Sequence, residues 1–235
     1  MKRPPDRRAF LRAAGLGAAG LVAGCGWRGG RFEGVLRWWD QPNEFLQKAI
    51  TPTRPRARIL PSGSETPEDA FPQYYQSAMI PRVDGRTWRL EVGGMVRRPL
   101  TISLADLERM PRTTLRLRHY CIEGWTAVAS WTGVRLAELA RIVGADPEAE
   151  YVDFRSFDVG YSSSWDRESA LHPQSLIAYG MNGHYLTPGH GAPARLYSNL
   201  KYGYKSVKYL TAIRFMRERT GGFWEDRGYD WYAGL

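Results

Sequence analysis

The sequence predicts an α+β fold. Segments that alternate with the two-residue period of strands outnumber those with helical spacing, and no regular β-α-β succession links them. Trp88 to Val92 alternates and runs into Gly93-Gly94, a strand and its turn. Ser103-Leu104-Ala105-Asp106 carries a capping signature and opens a short helix that Pro111 stops. Leu115 to Tyr120 alternates again and delivers Cys121 at or just beyond a strand end. Leu136, Leu139, Ala140 and Val143 share one helical face, with Gly144 as the C-cap. Tyr151 to Phe157, Ser175 to Tyr179 (before an Asn182-Gly183 turn), Arg195 to Tyr197 and Tyr209 to Phe215 read as further strands. There is no internal repeat.

At 235 residues and 43% hydrophobic, the chain can build one sizeable core or two small domains. Beyond the N-terminus no apolar run reaches the roughly 18 residues needed to span a bilayer. Residues 1–24 hold Lys2, Arg3, Arg7, Arg8 and Arg12 against Asp6, so +4 of the formal +9 belongs there and about +5 remains. With no Lys/Arg run able to track a phosphate backbone, that excess is a solvated surface and nucleic acid is not an expected partner.

The N-terminus divides into a leader (1–25) and an arm or linker (26–70) ahead of the body (71–235). Arg7-Arg8-Ala9-Phe10-Leu11-Arg12 and the Ala/Gly-rich run behind it resemble a twin-arginine export signal, which implies a periplasmic or other extracytoplasmic protein. Leu21-Val22-Ala23-Gly24-Cys25 resembles a lipobox, so Cys25 is the candidate lipidated residue and the membrane a candidate partner. Residues 28–70 are rich in Pro, Gly and Arg and read as an extended arm that wraps onto the body.

Only Cys25 and Cys121 exist, so the body has one cysteine and no disulfide partner for it. A lone thiol in an oxidising compartment is buried, or bound to something. Around it stand Arg116, Arg118, His119, Glu123 and Trp125. The cations there would favour thiolate, the form that binds metal. His119 and Cys121 alone do not make a zinc site. A nucleophilic cysteine paired with His119 or His190 stays open. Downstream, His184 to Arg195 and Lys201 to Lys208 form a glycine-studded basic stretch suited to a polar anionic ligand, without the spacing of a Walker loop.

From Trp88 onward the motifs resemble the molybdopterin-binding domain of the sulfite oxidase family. They are W-x-L-x-V-x-G at Trp88, CxEGW at Cys121, Trp131-Thr132-Gly133-Val134, LxAYxxNG at Leu176, HGAPxR at His190, KYGYKSVK at Lys201 and GFWExxGY ending at Tyr229. The resemblance covers some two-thirds of the chain. It implies that family's mixed-sheet α+β fold with short helices, a molybdenum–pyranopterin cofactor, and Cys121 as the catalytic residue and the protein's bond to the metal. It further implies cofactor contacts at Tyr75, Gln76, Ser156, His190, Arg195, Ser206, Val207 and Lys208. His190 stands where some relatives have asparagine, and Tyr75-Gln76 departs from an asparagine-rich pattern. There is no CxxCH for a covalent haem, so the electrons are expected from a separate membrane haem protein or cytochrome, and the catalytic domain is expected to be a monomer.

Two reactions and one non-catalytic role follow. The first is reduction of an S-oxide such as methionine sulfoxide, free or in oxidised protein. The second is sulfite oxidation, for which Arg116, Arg118 and Arg155 are the candidate cations. The third is a lipid-anchored binding domain without chemistry. The tryptophans read as core and cofactor-wall packing, Tyr161 as a candidate pocket residue, and Asp166, Glu168 and Asp226 as solvated charges.

Overall fold

A computed structural model describes residues 42–50, 57–74 and 79–235. The leader with Cys25, and the Tyr75-Gln76 pair, lie outside them. By its internal contacts the chain divides between Asn43 and Glu44. Of the first unit only Pro42 and Asn43 are described, and they begin helix α1 (residues 42–50). Proline suits a helix start, where its missing N–H is not needed. The span 26–70 is therefore not extended throughout. The sequence Glu44 to Ile50 is built of good helix formers, and Glu44 and Lys48 pair across one turn at 2.7 Å.

The second unit, Glu44–Leu235, follows with β1 (Arg89–Gly94), β2 (Leu100–Ser103), α2 (Leu104–Arg109), β3 (Arg112–Tyr120), β4 (Thr126–Arg135), α3 (Leu136–Val143), β5 (Tyr151–Ser156), β6 (Ser162–Asp166), α4 (Arg167–Ala170), β7 (Leu176–Met181), β8 (His184–Tyr185), β9 (Arg195–Tyr197) and β10 (Leu210–Met216). They form two five-stranded sheets. One runs β2-β1-β10-β5-β6; the other runs β3-β4-β7-β8, with β9 also on β7. Among the described residues, β1 and β10 pair in parallel and the remaining ladders are antiparallel.

One core lies where the inner faces of both sheets meet α3: Leu90, Val92, Val152, Phe154, Ile213 and Phe215 come from the first sheet, and Val134, Ile177, Tyr179 and Leu196 from the second. Leu136, Leu139, Ala140 and Val143 of α3 complete it. Each such side chain contributes about 1.5–3 kcal/mol on burial. Gly144 ends α3 at φ 62°, a left-handed conformation that glycine adopts without strain. Ser103 and Asp106 make a reciprocal capping box at the start of α2. The second sheet has a smaller core on its other face, where Leu117, Ala129, Trp131, Leu176, Ala178 and Tyr197 pack. Strands β4 and β7 are thus covered on both sides, which is why β4 lacks alternation in the sequence. At Gly133 a Cβ would fall 2.1 Å from the Ile177 carbonyl oxygen, so this residue lets β4 and β7 close around their bulge.

The described part of the arm lies along the second sheet. Leu60 N–H donates to the Arg116 carbonyl at 3.0 Å, Thr66 N–H to Val128 at 2.9 Å, and Ala57 exchanges two hydrogen bonds with the Gln174 side chain.

One sequence expectation is reversed by burial. Asp166 is not a solvated charge: it caps α4 through Ser169 N–H at 2.8 Å and pairs with Lys201 Nζ at 3.0 Å, with both side chains almost fully buried. Burial works to raise the Asp166 carboxyl, but Lys201 and Ser169 outweigh it and hold the group below its ordinary value. Its stabilising contribution is therefore complete above the ordinary carboxylate pKa of about 4 and is lost as pH falls through the lowered folded value. Asp166→Asn is expected to flatten the acid limb of a stability-against-pH curve measured by urea unfolding. Lys201→Met, which strands the carboxylate, is expected to destabilise by about 3–5 kcal/mol at neutral pH.

Candidate active site

Strand β3 ends at Tyr120, and the next residue, Cys121, starts a tight turn. Cys121 N–H donates to the Trp125 carbonyl at 3.0 Å and Gly124 N–H to the Cys121 carbonyl at 3.1 Å. The turn presents the thiol to a cleft of about 510 Å³. Cys121 is a free, partly exposed cysteine. Its surroundings differ from the sequence expectation. Arg116 is held by Glu65 and the Leu60 carbonyl, Arg118 lies against Thr126, and burial pushes the His119 imidazole down to about 3, so it is neutral. The thiol is raised, first by burial and then by the Glu123 carboxylate, against the pull of the Glu123 and Ile122 N–H groups. Charge does not pre-form the thiolate here; a bound metal ion would displace the proton.

The floor of the cleft is cationic. Arg195, on β9, is 4% exposed, and its guanidinium donates to the carbonyls of His190 (3.0 Å), Ser206 (3.3 Å) and Leu196 (3.4 Å). Its face lies 5.1 Å from the Trp131 ring. Among the described residues no carboxylate pairs with it, and burial lowers its pKa to about 10. Lys208 is half-buried and reaches the Tyr74 and Gly189 carbonyls at 2.6 Å each; burial and Arg195 push it down to about 7. The same cations, added to burial, keep His190 neutral with a pKa of about 4.

Six of the residues named from the sequence share this cleft: Cys121, Ser156, His190, Arg195, Ser206 and Lys208 all line it. Ser156 Oγ is committed to the loop, donating to the Lys208 carbonyl at 2.8 Å and accepting from Asp158 N–H at 2.9 Å. Val207 differs: its side chain is fully buried in the main core and its carbonyl accepts from Leu196, so no side-chain contact to the cleft is available. Tyr75 and Gln76 are outside the described residues, but Tyr74 lines the cleft and stacks on Trp125 at 5.8 Å. Tyr161 also lines it, with its hydroxyl donating to the Tyr204 carbonyl at 2.7 Å. Of the three lysines in Lys201 to Lys208, only Lys208 faces the cleft; Lys201 and Lys205 turn into buried ion pairs. Arg116, Arg118 and Arg155 do not line it, and Arg155 pairs with Asp153.

Several lining residues were not singled out as site residues by the sequence. Phe71 packs its ring among His119, Trp125, Trp131 and His190. Arg227 lies 3.7 Å from the Phe223 ring centroid at the mouth. Gly203 stands so close to His119 that a Cβ would fall 2.6 Å from its Nε2.

Residues 77–224 match the oxidoreductase molybdopterin-binding domain family. The chain belongs to that family. Over 98% of its length it is 36% identical to a protein of Azospira oryzae, 88% of which is covered and whose provisional name is protein-methionine-sulfoxide reductase subunit. It is 34% identical over 73% of its length to an uncharacterised oxidoreductase of Bacillus subtilis (86% covered). It is also 31% identical over 93% of its length to the protein-methionine-sulfoxide reductase catalytic subunit of Ralstonia nicotianae (71% covered). In fold it is similar to the sulfane dehydrogenase of Paracoccus pantotrophus, with a TM-score of 0.63 and 24% identity, over 67% of this chain and 45% of that one. The protein is thus a molybdopterin-dependent oxidoreductase, as its motifs led us to expect, and the non-catalytic reading is set aside.

The residues present fit such a cofactor. A buried guanidinium without a carboxylate calls for an anion, Lys208 adds a second cation, and the buried Ser206 hydroxyl has no partner among the described residues. Arg195→Met and Lys208→Met are each expected to lower the molybdenum retained per purified chain by about tenfold or more, since a charge-assisted hydrogen bond contributes roughly 1.5–3 kcal/mol. Elemental analysis of protein made in a host that synthesises the cofactor checks this.

Proposed function

We propose that the protein reduces S-oxides, methionine sulfoxide among them, with Cys121 as the thiolate bonded to molybdenum. The observation that carries this reading is the make-up of the mouth. Besides the cationic floor, the lining is mainly aromatic and apolar (Tyr74, Ile122, Trp125, Phe223, Trp224 and Tyr229), with Arg227 and the carboxylates of Glu123 and Asp158 among it. A sulfoxide is a neutral dipole with alkyl arms, and an aromatic funnel seats it while excluding water. A sulfite dianion would need several cations converging on it, and the three arginines considered for that role lie elsewhere. The names of the Azospira and Ralstonia relatives support the same choice.

When bound, the molybdopterin supplies two-electron exchange of an oxygen atom. The chain's own groups then act around it. Arg195, Lys208, His190, Ser206 and the backbone at Val207 would hold the anionic pterin, with Ser156 keeping the Lys208 loop in place. Tyr75 and Gln76 are proposed to contact the cofactor. Cys121 gives up its thiol proton when the metal binds. The overall change takes two electrons and two protons with the sulfoxide and releases a thioether and water. We assign the electrons to a separate membrane haem protein or cytochrome. We also assign the leader to twin-arginine export into the periplasm, Cys25 to lipid attachment, and the catalytic domain to a monomeric state.

Steady-state turnover decides between substrates. Reduction of methionine sulfoxide or dimethyl sulfoxide with a reduced dye is expected, and sulfite oxidation with an artificial acceptor is not; sulfite turnover without sulfoxide turnover would reverse the assignment. Cys121→Ser is expected to lower kcat at least a hundredfold, the upper end of the roughly 10- to 100-fold losses that follow removal of a ligand's supporting partner. Its circular dichroism should match that of the unaltered protein.

A further inference from the structure

The ion pair between Lys205 and Glu225 touches neither the cleft nor solvent. Lys205 is 0% and Glu225 4% exposed, and Lys205 Nζ stands 2.5 Å from Glu225 Oε1. The same ammonium donates to the Ser164 carbonyl at 2.9 Å, and the same carboxylate oxygen accepts from Ser163 Oγ. Both ends therefore sit on β6. A buried pair of this kind is rarely needed for stability, because apolar side chains of similar volume usually serve as well; what charge can add is one defined geometry.

Its position gives that geometry a use. Lys205 ends the short turn Gly203–Lys205, whose neighbours Gly203, Tyr204 and Ser206 line the floor of the cleft. Glu225 starts the turn Glu225–Arg227, whose flanking side chains Phe223, Trp224, Arg227 and Tyr229 line the mouth. The mouth segment is also tied by Phe223 N–H to the Ser162 carbonyl at 2.9 Å, by the Phe223 ring stacked on Tyr161 at 5.5 Å, and by Tyr204, whose hydroxyl donates to the Asp230 carbonyl and whose ring meets that of Tyr229. Among the described residues, Glu225 adds to these contacts an ion pair that joins the segment to the turn bearing the floor residues. We infer that Lys205 and Glu225 are positioning residues that lock the aromatic mouth in register with the cofactor-facing loop, and so set the affinity for substrate. The pair acts through Trp224 and Arg227 on one side and Ser206 on the other; neither partner meets the substrate.

The inference uses the proposed sulfoxide chemistry only for its kinetic readout. The test compares the unaltered holoenzyme with Lys205→Met/Glu225→Leu, which removes both charges and keeps an apolar filling. Amide hydrogen exchange is expected to quicken about tenfold within residues 222–229 alone, with molybdenum content and unfolding midpoint little changed. KM for dimethyl sulfoxide is expected to rise about tenfold, a loss of about 1.4 kcal/mol in binding, while kcat stays within about twofold. A folded, metal-loaded double variant with ordinary exchange in 222–229 overturns the inference, as does faster exchange spread evenly over the chain. Should the double variant fail to fold, Glu225→Gln decides. Exchange about threefold faster in the same segment supports the inference, and unaltered exchange there overturns it. The exchange result stands even if no sulfoxide is turned over, so failure of the substrate assignment is separable from failure of the lock.

Discussion

A guanidinium buried without a carboxylate is the constraint on which the rest of this site depends. Desolvation of Arg195 is unfavourable, and the fold meets it with the face of Trp131 and three carbonyls, those of His190, Leu196 and Ser206, each from a different stretch of backbone. To aim three carbonyls at one group, the His190–Gly191 turn, β9 and the loop after Lys205 must converge. That convergence is what makes the floor of the cleft. The electrostatics follow from it. Burial first, and then the nearby Arg195 and Lys208, keeps His119 and His190 neutral, so the positive charge of the floor lies on Arg195 and Lys208. The mouth is aromatic. The cleft thus joins a cationic floor, suited to an anionic cofactor, to a largely aromatic lining suited to a neutral substrate, with Glu123, Asp158 and Arg227 as its other charged side chains.

Much of this was legible in the sequence, and the parts that were not share physical causes. Strands β1 and β10 and helix α3 announced themselves because each buries one face more than the other. Strand β4 did not, since it is covered on both sides and its sequence Thr126 to Arg135 has no alternation to read. Strand β6 was not among the predicted strands, because the partners of Ser163 and Ser164 arrive from Glu225 and from the Thr220–Gly221 carbonyls more than fifty residues later. Asp166 failed for the same reason: its partner Lys201 is 35 residues away.

The site was legible as a set of motifs but not as an arrangement. Lys201, Lys205 and Lys208 look equivalent along the chain, yet two neutralise buried acids and one faces the cleft. Arg116 and Arg118, near Cys121 in sequence, share one face of β3 and are claimed by Glu65 and Thr126, while His119 on the other face is neutral. The arginine at the mouth, Arg227, sits inside a quoted motif at one of its variable positions, where no pattern marks it. Sequence spacing carries residue type and order; which way a side chain turns is decided by partners that only the folded chain supplies.

The hydrogen bond from Lys208 to the Tyr74 carbonyl spans 134 residues. The cleft as a whole draws on side chains from Phe71 to Tyr229, nearly the full length of the domain. No short fragment of the chain therefore holds the whole site, and completing the cleft requires long-range contacts, the slowest kind to make. A ligand spanning such a cleft joins the two ends of the domain as a non-covalent cross-link, and favours the folded chain in proportion to the logarithm of its concentration over its Kd. In this fold, holding the cofactor and holding the polypeptide together are the same act.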